Sequence, residues 1–188
     1  GCMPGRDKDG KIKKRLKHAD LFLPTKDLAR LPSLLMELNP NFRPVENVEE
    51  DYLSLRPNYQ RKFQAFIAIQ TGCNQFCTYC VVPYARGLEK NRPLADILAE
   101  IKEVVMNGCL EITLLGQIVN RYQAPDPENF RVDNIYKKND FAKLLWEINQ
   151  IEGVKRLDWP APHPLYFDDE LLDVLTLPKQ VNYVHLPI

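Results

Sequence analysis

A near-continuous apolar run, Ala65-Phe66-Ile67-Ala68-Ile69, passes through Gln70 and Thr71 directly into Gly72-Cys73-Asn74-Gln75-Phe76-Cys77-Thr78-Tyr79-Cys80. The run reads as a parallel strand buried on both faces. The three thiols, spaced C-x3-C-x2-C on the loop that leaves it, read as one metal site. Iron-sulfur clusters are held by Cys thiolates, and a four-iron cluster has four corners to fill. Three local cysteines leave one iron without a protein ligand, and an open coordination position is what separates a working metal site from a structural one. Such a position suits a chelating small molecule.

Other chemistries fit less well. Structural zinc takes four protein ligands, and His18, His163 and His185 all lie far from the loop in sequence, so zinc needs a long-range fourth ligand. An electron carrier of ferredoxin type wants every iron saturated by protein. A zinc-dependent RNA-binding module and a non-catalytic carrier therefore stand as the competing classes. A disulfide framework is disfavoured by the odd count of five cysteines and by a 188-residue chain that needs no staples. The sequence shows no secretory signal and no apolar run long enough to span a bilayer, so a reducing cytoplasm and no membrane are expected. Net charge is zero, but residues 1–17 concentrate Arg6, Lys8, Lys11, Lys13, Lys14, Arg15 and Lys17 against Asp7 and Asp9. That run is either a phosphate-facing patch or a solvated face. Opening at Gly1 and stopping at Ile188 beside an apolar stretch, the sequence reads as a piece of a longer protein.

With 45% hydrophobic residues the chain can bury one sizeable core, or one and a half domains. Asp20 to Leu23 predicts a short strand, and Leu28, Leu31, Leu35 and Leu38 a helix, capped by Thr25 and broken or restarted at Pro32. Residues 1–38 are thus the end of a small α/β domain. Residues 39–63 are acidic, punctuated by Pro40, Pro44 and Pro57, and read as a linker. Residues 64–188 form the second domain. After the cysteine loop, Pro93 opens a helix through Leu94, Ile97, Leu98, Ile101, Val104 and Val105 that Gly108 ends. Strands follow at 111–115 and 154–158, separated by a polar surface excursion at 121–139 and a helix capped by Asp140. A helix near 168–175 and a fourth strand at 183–186 complete the pattern.

Strand, loop and helix in alternation imply a parallel sheet whose chemistry gathers at the carboxyl ends of its strands. The cysteine loop, Gln117 and His163 all fall there. Cys109 precedes its strand and belongs about 15 Å away at the opposite end; it reads as a buried small hydrophobe.

The words around the thiols then carry a resemblance. With Tyr79 before the last cysteine, the loop resembles the radical S-adenosylmethionine (SAM) superfamily. GCNQFCTYCVVPYARG from Gly72 to Gly87 and LLGQIVNRY from Leu114 to Tyr122 are similar to the tRNA methylthiotransferases. The opening stretch through Pro32 resembles the end of that family's amino-terminal domain. The resemblance implies a partial (β/α) barrel, truncated after its fourth strand, with a [4Fe-4S] cluster on Cys73, Cys77 and Cys80 that binds SAM. It also implies that Cys2 is one ligand of a second [4Fe-4S] cluster whose other two cysteines are absent here. Tyr79 and Gln117 are then candidates for SAM, and Arg86 and His163 for substrate.

The implied reaction converts N(6)-dimethylallyladenosine beside the anticodon to its 2-methylthio derivative. A deoxyadenosyl radical would take hydrogen from C2, and a second SAM would supply the methyl group. Relatives acting on threonylcarbamoyladenosine or on a ribosomal protein are the alternative, and Ile118 departs from the Asn common in the dimethylallyl type. The implied partners are a tRNA anticodon stem-loop, for which Tyr84, Tyr122 and Trp159 are candidate stacking aromatics, and a flavodoxin or ferredoxin donor. The protein would act as a monomer.

Overall fold

The computed structural model describes residues 1–43, 52–55, 57–59 and 63–186. About half of the acidic, proline-punctuated stretch expected as a linker at 39–63 (44–51, 56 and 60–62) lies outside the described residues. By contacts the chain forms two units, Gly1–Pro57 with Gly72–Glu89, and Asn58–Thr71 with Lys90–Ile188. The loop 72–89, which its place in the chain puts in the second domain, makes its contacts in the first unit.

The first unit is built from short helices: α1 (Cys2–Arg6), α2 (Lys11–Arg15), α3 (Leu31–Leu38) and α4 (Val82–Arg86). Asp7 caps α2 from outside, accepting the Ile12 and Lys13 N–H groups at 2.9 and 2.8 Å, donors that a first turn cannot satisfy itself. The leucine pattern of 28–38 divides into a 3-10 turn, Thr25–Arg30, and α3, with Pro32 in its first turn where a missing N–H costs nothing. Thr25 begins the turn and does not cap a helix. The strand expected at Asp20–Leu23 is not formed, and no strand lies among the described residues of this unit. An apolar run specifies burial, but a strand also needs a neighbour to pair with. Helices α1 and α4 pack so closely that a Cβ on Gly5 would run into the Ala85 backbone.

The second unit holds the predicted sheet. Strands β1 (Gln64–Ala68), β4 (Glu111–Leu115) and β5 (Arg156–Asp158) are parallel in the order β1-β4-β5. The crossovers carry α5 (Leu94–Met106) and α6 (Asp140–Gln150), and α7 (Asp169–Val174) follows β5. Register aligns Gln64, Glu111 and Arg156 across the three strands. Their side chains follow: Gln64 Nε2 donates to Glu111 Oε1 at 2.9 Å, and Arg156 Nε sits 3.7 Å from Glu111 Oε2. Ile67, Ile112, Leu114 and Leu157 are sealed beneath Ile97 and Ile101 of α5 and Phe141, Leu144 and Ile148 of α6. β1 is not covered on both faces as its composition suggests: Ala65 and Ile67 are buried on one face, while Phe66 on the other is 47% exposed.

Three further corrections concern pairing and caps. The fourth strand expected at 183–186 is not formed. Pairing with β5 comes earlier, as a single parallel bridge Leu157–Gln180, with Leu157 donating to Lys179 and Val181 to Leu157. Asn139, not Asp140, caps α6, accepting from Phe141 and Ala142 at 2.9 and 3.0 Å. The excursion 121–139 is polar yet anchored. Tyr122, Asn134 and Tyr136 are buried, Tyr122 donates to the Arg92 carbonyl at 2.8 Å, and Asn134 donates to buried Glu147 at 3.1 Å.

The same excursion supplies the cap that α5 lacks locally, since Pro93 stands at its N-cap. Asp126 accepts from Leu94 N at 2.6 Å and Ala95 N at 3.0 Å. Burial works to raise the Asp126 pKa, but the Ala95, Leu94 and Asn129 hydrogen bonds outweigh it and hold the carboxyl below its ordinary value. A depressed folded pKa stabilises above the unfolded value and is lost as pH falls through the folded one. Asp126→Ala should therefore cost about 1 kcal/mol at pH 7. In denaturant unfolding read by tryptophan fluorescence, that cost should shrink below about pH 4.

No helix among the described residues is long and apolar enough to cross a membrane.

Candidate metal centre

The cysteine loop leaves the sheet through a feature the sequence did not announce. β2 (Gln70–Thr71) and β3 (Lys90–Asn91) pair antiparallel, Gln70 with Asn91 and Thr71 with Lys90. The two feet of the loop are thereby held side by side. Gln70 reinforces the joint, donating to Asn91 Oδ1 at 3.1 Å and accepting the Ile118 N–H at 3.2 Å.

Within the loop the backbone is pinned at several points. Gly72 has φ +74°, and a Cβ there would collide with the Leu88 carbonyl, so both the conformation and the contact demand glycine. Cys73 N donates to Gly87 O at 3.2 Å, and Glu89 N to Asn74 Oδ1 at 3.0 Å. Phe76 takes a left-handed φ of 49°, a conformation that costs a non-glycine residue about 1 kcal/mol. Cys80 N donates to Cys77 O at 2.9 Å, closing a turn between the last two cysteines. α4 starts immediately afterwards.

All three thiols are free. Cys73 is buried, while Cys77 and Cys80 are half-buried. Burial pushes the Cys73 thiol up, the Gln75 N–H at 3.5 Å pulls it down, and charge on Cys80, Glu89 and Cys77 pushes it up again. Two of those neighbours are the other thiols of the motif, so the three sulfurs share one electrostatic neighbourhood. Among the described residues no three His, Cys, Asp or Glu side chains converge on a single ion. A four-iron cluster asks for something else, one thiolate on each of several irons. Bound metal would also reverse the upward push, because a coordinating thiol is deprotonated outright. The donor set fits a cluster.

The sequence model of the Radical SAM superfamily matches residues 67–187. The chain belongs to this superfamily. Radical SAM proteins use a [4Fe-4S] cluster and SAM, and the three-cysteine loop falls inside the matched region. Over its whole length the chain is also 40% identical to the tRNA-2-methylthio-N(6)-dimethylallyladenosine synthase of Moorella thermoacetica, covering 42% of that protein. It is 34% identical to the enzyme of that name from Photobacterium profundum, covering 39% of it. The chain thus spans about two fifths of the length of these relatives. A solved radical SAM methyltransferase, TsrM from Kitasatospora setae, is similar over 77% of the chain and 25% of its own, at 21% identity and a TM-score of 0.49.

The remaining candidates of this radical SAM chain are distributed between the units. In the first, Tyr79 is 91% exposed and so is not a core aromatic packing the loop. Arg86 is half-buried at the end of α4, and Cys2 is half-buried at the start of α1.

In the second unit, Gln117 follows β4 and its Oε1 is shielded from solvent with no hydrogen-bond partner among the described residues. His163 follows β5; its N–H donates to Asn120 Oδ1 at 2.8 Å, and its Nδ1 accepts from Leu165 N at 3.2 Å. That contact puts the neutral ring's proton on Nε2. Of the aromatics considered for base stacking, Tyr122 and Trp159 are buried and hydrogen-bonded, Trp159 donating to Gln180 Oε1 at 2.8 Å. Tyr84 is 52% exposed, edge-on to Phe76 with Lys8 Nζ 4.9 Å above its ring. Cys109 is buried at the start of β4, its thiol donating to Glu111 O at 3.2 Å, as a small hydrophobe would sit.

Proposed function

We propose that the protein is a tRNA methylthiotransferase that converts N(6)-dimethylallyladenosine beside the anticodon to its 2-methylthio derivative. The observation that carries this reading is the C-x3-C-x2-C loop leaving a parallel strand in a chain similar throughout to synthases of that name. Cys73, Cys77 and Cys80 would hold a [4Fe-4S] cluster, leaving one iron for SAM. When bound, the cluster supplies the electron that splits SAM reductively; the protein supplies binding, orientation and electrostatics.

The chain's own residues support those tasks. The β2–β3 joint and the Gly72 turn fix where the loop begins. The unpartnered Gln117 Oε1 is an acceptor suited to the SAM ammonium, since an unmade hydrogen bond at a shielded atom is costly until a donor arrives. Tyr79 is accessible to the adenine. Arg86 suits a carboxylate or an RNA phosphate, which its fork binds in two-point fashion. His163, whose Nδ1 is taken by the Leu165 N–H, would offer Nε2–H to substrate beyond the carboxyl end of β5. Cys2 would serve a second cluster as one of its ligands. The sheet would be half of a (β/α) barrel, electrons would come from a flavodoxin or ferredoxin, and the protein would work as a cytoplasmic monomer.

The test is direct. The full-length protein, reconstituted anaerobically, should convert tRNA carrying N(6)-dimethylallyladenosine in the presence of SAM and a low-potential reductant. Nucleoside mass spectrometry should then show the 2-methylthio product. Turnover of threonylcarbamoyladenosine tRNA instead would move the substrate to the related enzymes, and SAM cleavage without any tRNA product would refute the reading.

A further inference from the structure

The ladder between β1 and β4 ends where Ile69 N donates to Leu115 O at 2.9 Å. One residue further on, the link across is made by a side chain. Gln70, only 3% exposed, accepts the Ile118 N–H on Oε1 at 3.2 Å and donates Nε2 to Asn91 Oδ1 at 3.1 Å. A backbone N–H can only donate, so Ile118 takes the carbonyl end of the amide and leaves the NH2 end for Asn91. The amide is held at both ends, in a place where little water competes for either bond. All of these residues, and Gln117 with them, belong to the second unit.

What the Ile118 bond holds is the turn that carries Gln117. The Ile118 N–H belongs to the planar peptide joining Gln117 to Ile118, so Gln70 fixes the peptide plane on one side of the Gln117 Cα. Gly116 stands on the other side. A Cβ there would lie 3.1 Å from Gln70 Oε1 and 3.1 Å from Val119 Cγ1, so glycine is what lets the Gln70 side chain approach the turn this closely. Ile118 and Val119 are buried in turn, and Val119 N donates to Ala161 O at 3.3 Å. The backbone around Gln117 is therefore held on both sides, while its own Oε1 is shielded and without a partner among the described residues. Hydrogen bonds weaken steeply once donor and acceptor are misaligned. An acceptor that waits for a ligand works only if the chain behind it is fixed, and Gln70 does the fixing from the strand that runs into the cysteine loop.

We infer that Gln70 is a positioning residue: it aims Gln117 Oε1 at the SAM ammonium and, through Asn91 on the strand returning from the cysteine loop, keys that aim to the feet of the loop. The inference rests on the assignment of Gln117 to SAM proposed above and adds the residue through which that assignment operates.

The experiment measures the SAM affinity of the full-length, cluster-loaded protein by equilibrium dialysis with labelled SAM. Iron content and circular dichroism confirm that each variant is loaded and folded. Gln117→Ala should weaken SAM binding about tenfold, the worth of one hydrogen bond to a charged group. Gln70→Met, similar in length but without polar atoms, should weaken it by a similar factor at unchanged iron content. The double variant should bind no more weakly than Gln117→Ala alone, since a residue acting through Gln117 has nothing to position once that side chain is gone. Should Gln70→Met fail to fold, Asn91→Leu, which removes the bond that orients the Gln70 amide, decides through the same cycle. Unchanged affinity in the deciding variant, or losses that multiply in the double variant, would overturn the inference and leave the tRNA reading standing. Wild-type affinity in Gln117→Ala would overturn the assignment of Gln117 to SAM and the inference with it, and the nucleoside assay still judges the tRNA reading separately.

Discussion

Cys77→Ala should abolish the iron-sulfur centre: after anaerobic reconstitution the wild-type protein should carry about four irons with matching acid-labile sulfide at this site, and the variant essentially none. The reason is local. Cys77 sits between Cys73 and Cys80 on a loop whose course is fixed by the Gly72 turn, the Cys73–Gly87 bond and the Cys77–Cys80 turn. A backbone so pinned cannot bring another residue to the vacated corner, and the next cysteine in the chain, Cys109, is buried at the start of β4 in the other unit. Two thiolates would then have to hold a cluster that already lacks a fourth. Electron spin resonance of the reduced wild-type protein should change on adding SAM, as an open iron requires. Because a parent protein could carry an auxiliary cluster, the measurement is the difference between wild type and variant. Undiminished iron in Cys77→Ala, or stoichiometric zinc without sulfide in the wild type, would sink the radical mechanism.

Glu100→Ala should destabilise the second unit by about 3–5 kcal/mol, the cost of leaving a buried charge without its partner. Glu100 and Arg92 are ion-paired with side chains only 5% and 7% exposed. Tyr59 donates to the other Glu100 oxygen, and Arg92 also reaches the Ala68 carbonyl at 3.3 Å. Removing the carboxylate leaves the guanidinium without its counter-charge and the Tyr59 hydroxyl with only the Phe66 carbonyl at 3.4 Å. The same network fastens the end of β1 to the chain returning from the cysteine loop, where Arg92 N donates to Ile69 O at 2.9 Å, so reconstitution should suffer as well. Trp146 and Trp159 are the only two tryptophans and both lie in this unit's core. Their fluorescence in a denaturant titration therefore reads the right unit. Replacing the pair together, Arg92→Met with Glu100→Leu, should recover most of the loss, because burying neither charge removes the desolvation cost. A single variant as stable as wild type would show that water reaches the pair.

Much of this was legible in the chain. The helical spacing of Leu94, Ile97, Ile101 and Val104 and the apolar strands at 64–68 and 111–115 are local signals, and each element formed where its pattern lies. The cysteine spacing is likewise local, since Cys73, Cys77 and Cys80 all lie within one short loop. What was misread depended on partners. The apolar run 20–23 found nothing to pair with, and the fourth strand pairs at Gln180 and not at 183–186. Trp159 and Tyr122, candidates for stacking in the sequence, take the core role and spend their polar atoms on Gln180 and the Arg92 carbonyl.

The sequence by itself determined that three thiols would share one loop at the exit of a parallel strand, because that relation is written in adjacent residues. Tertiary structure alone decided how the loop's feet are held and which carboxylate caps α5 from a distant excursion. Those outcomes turn on hydrogen bonds and burial between residues far apart in the chain. Each polar group takes whichever partner the packing leaves within reach, and no spacing in a linear sequence records that choice.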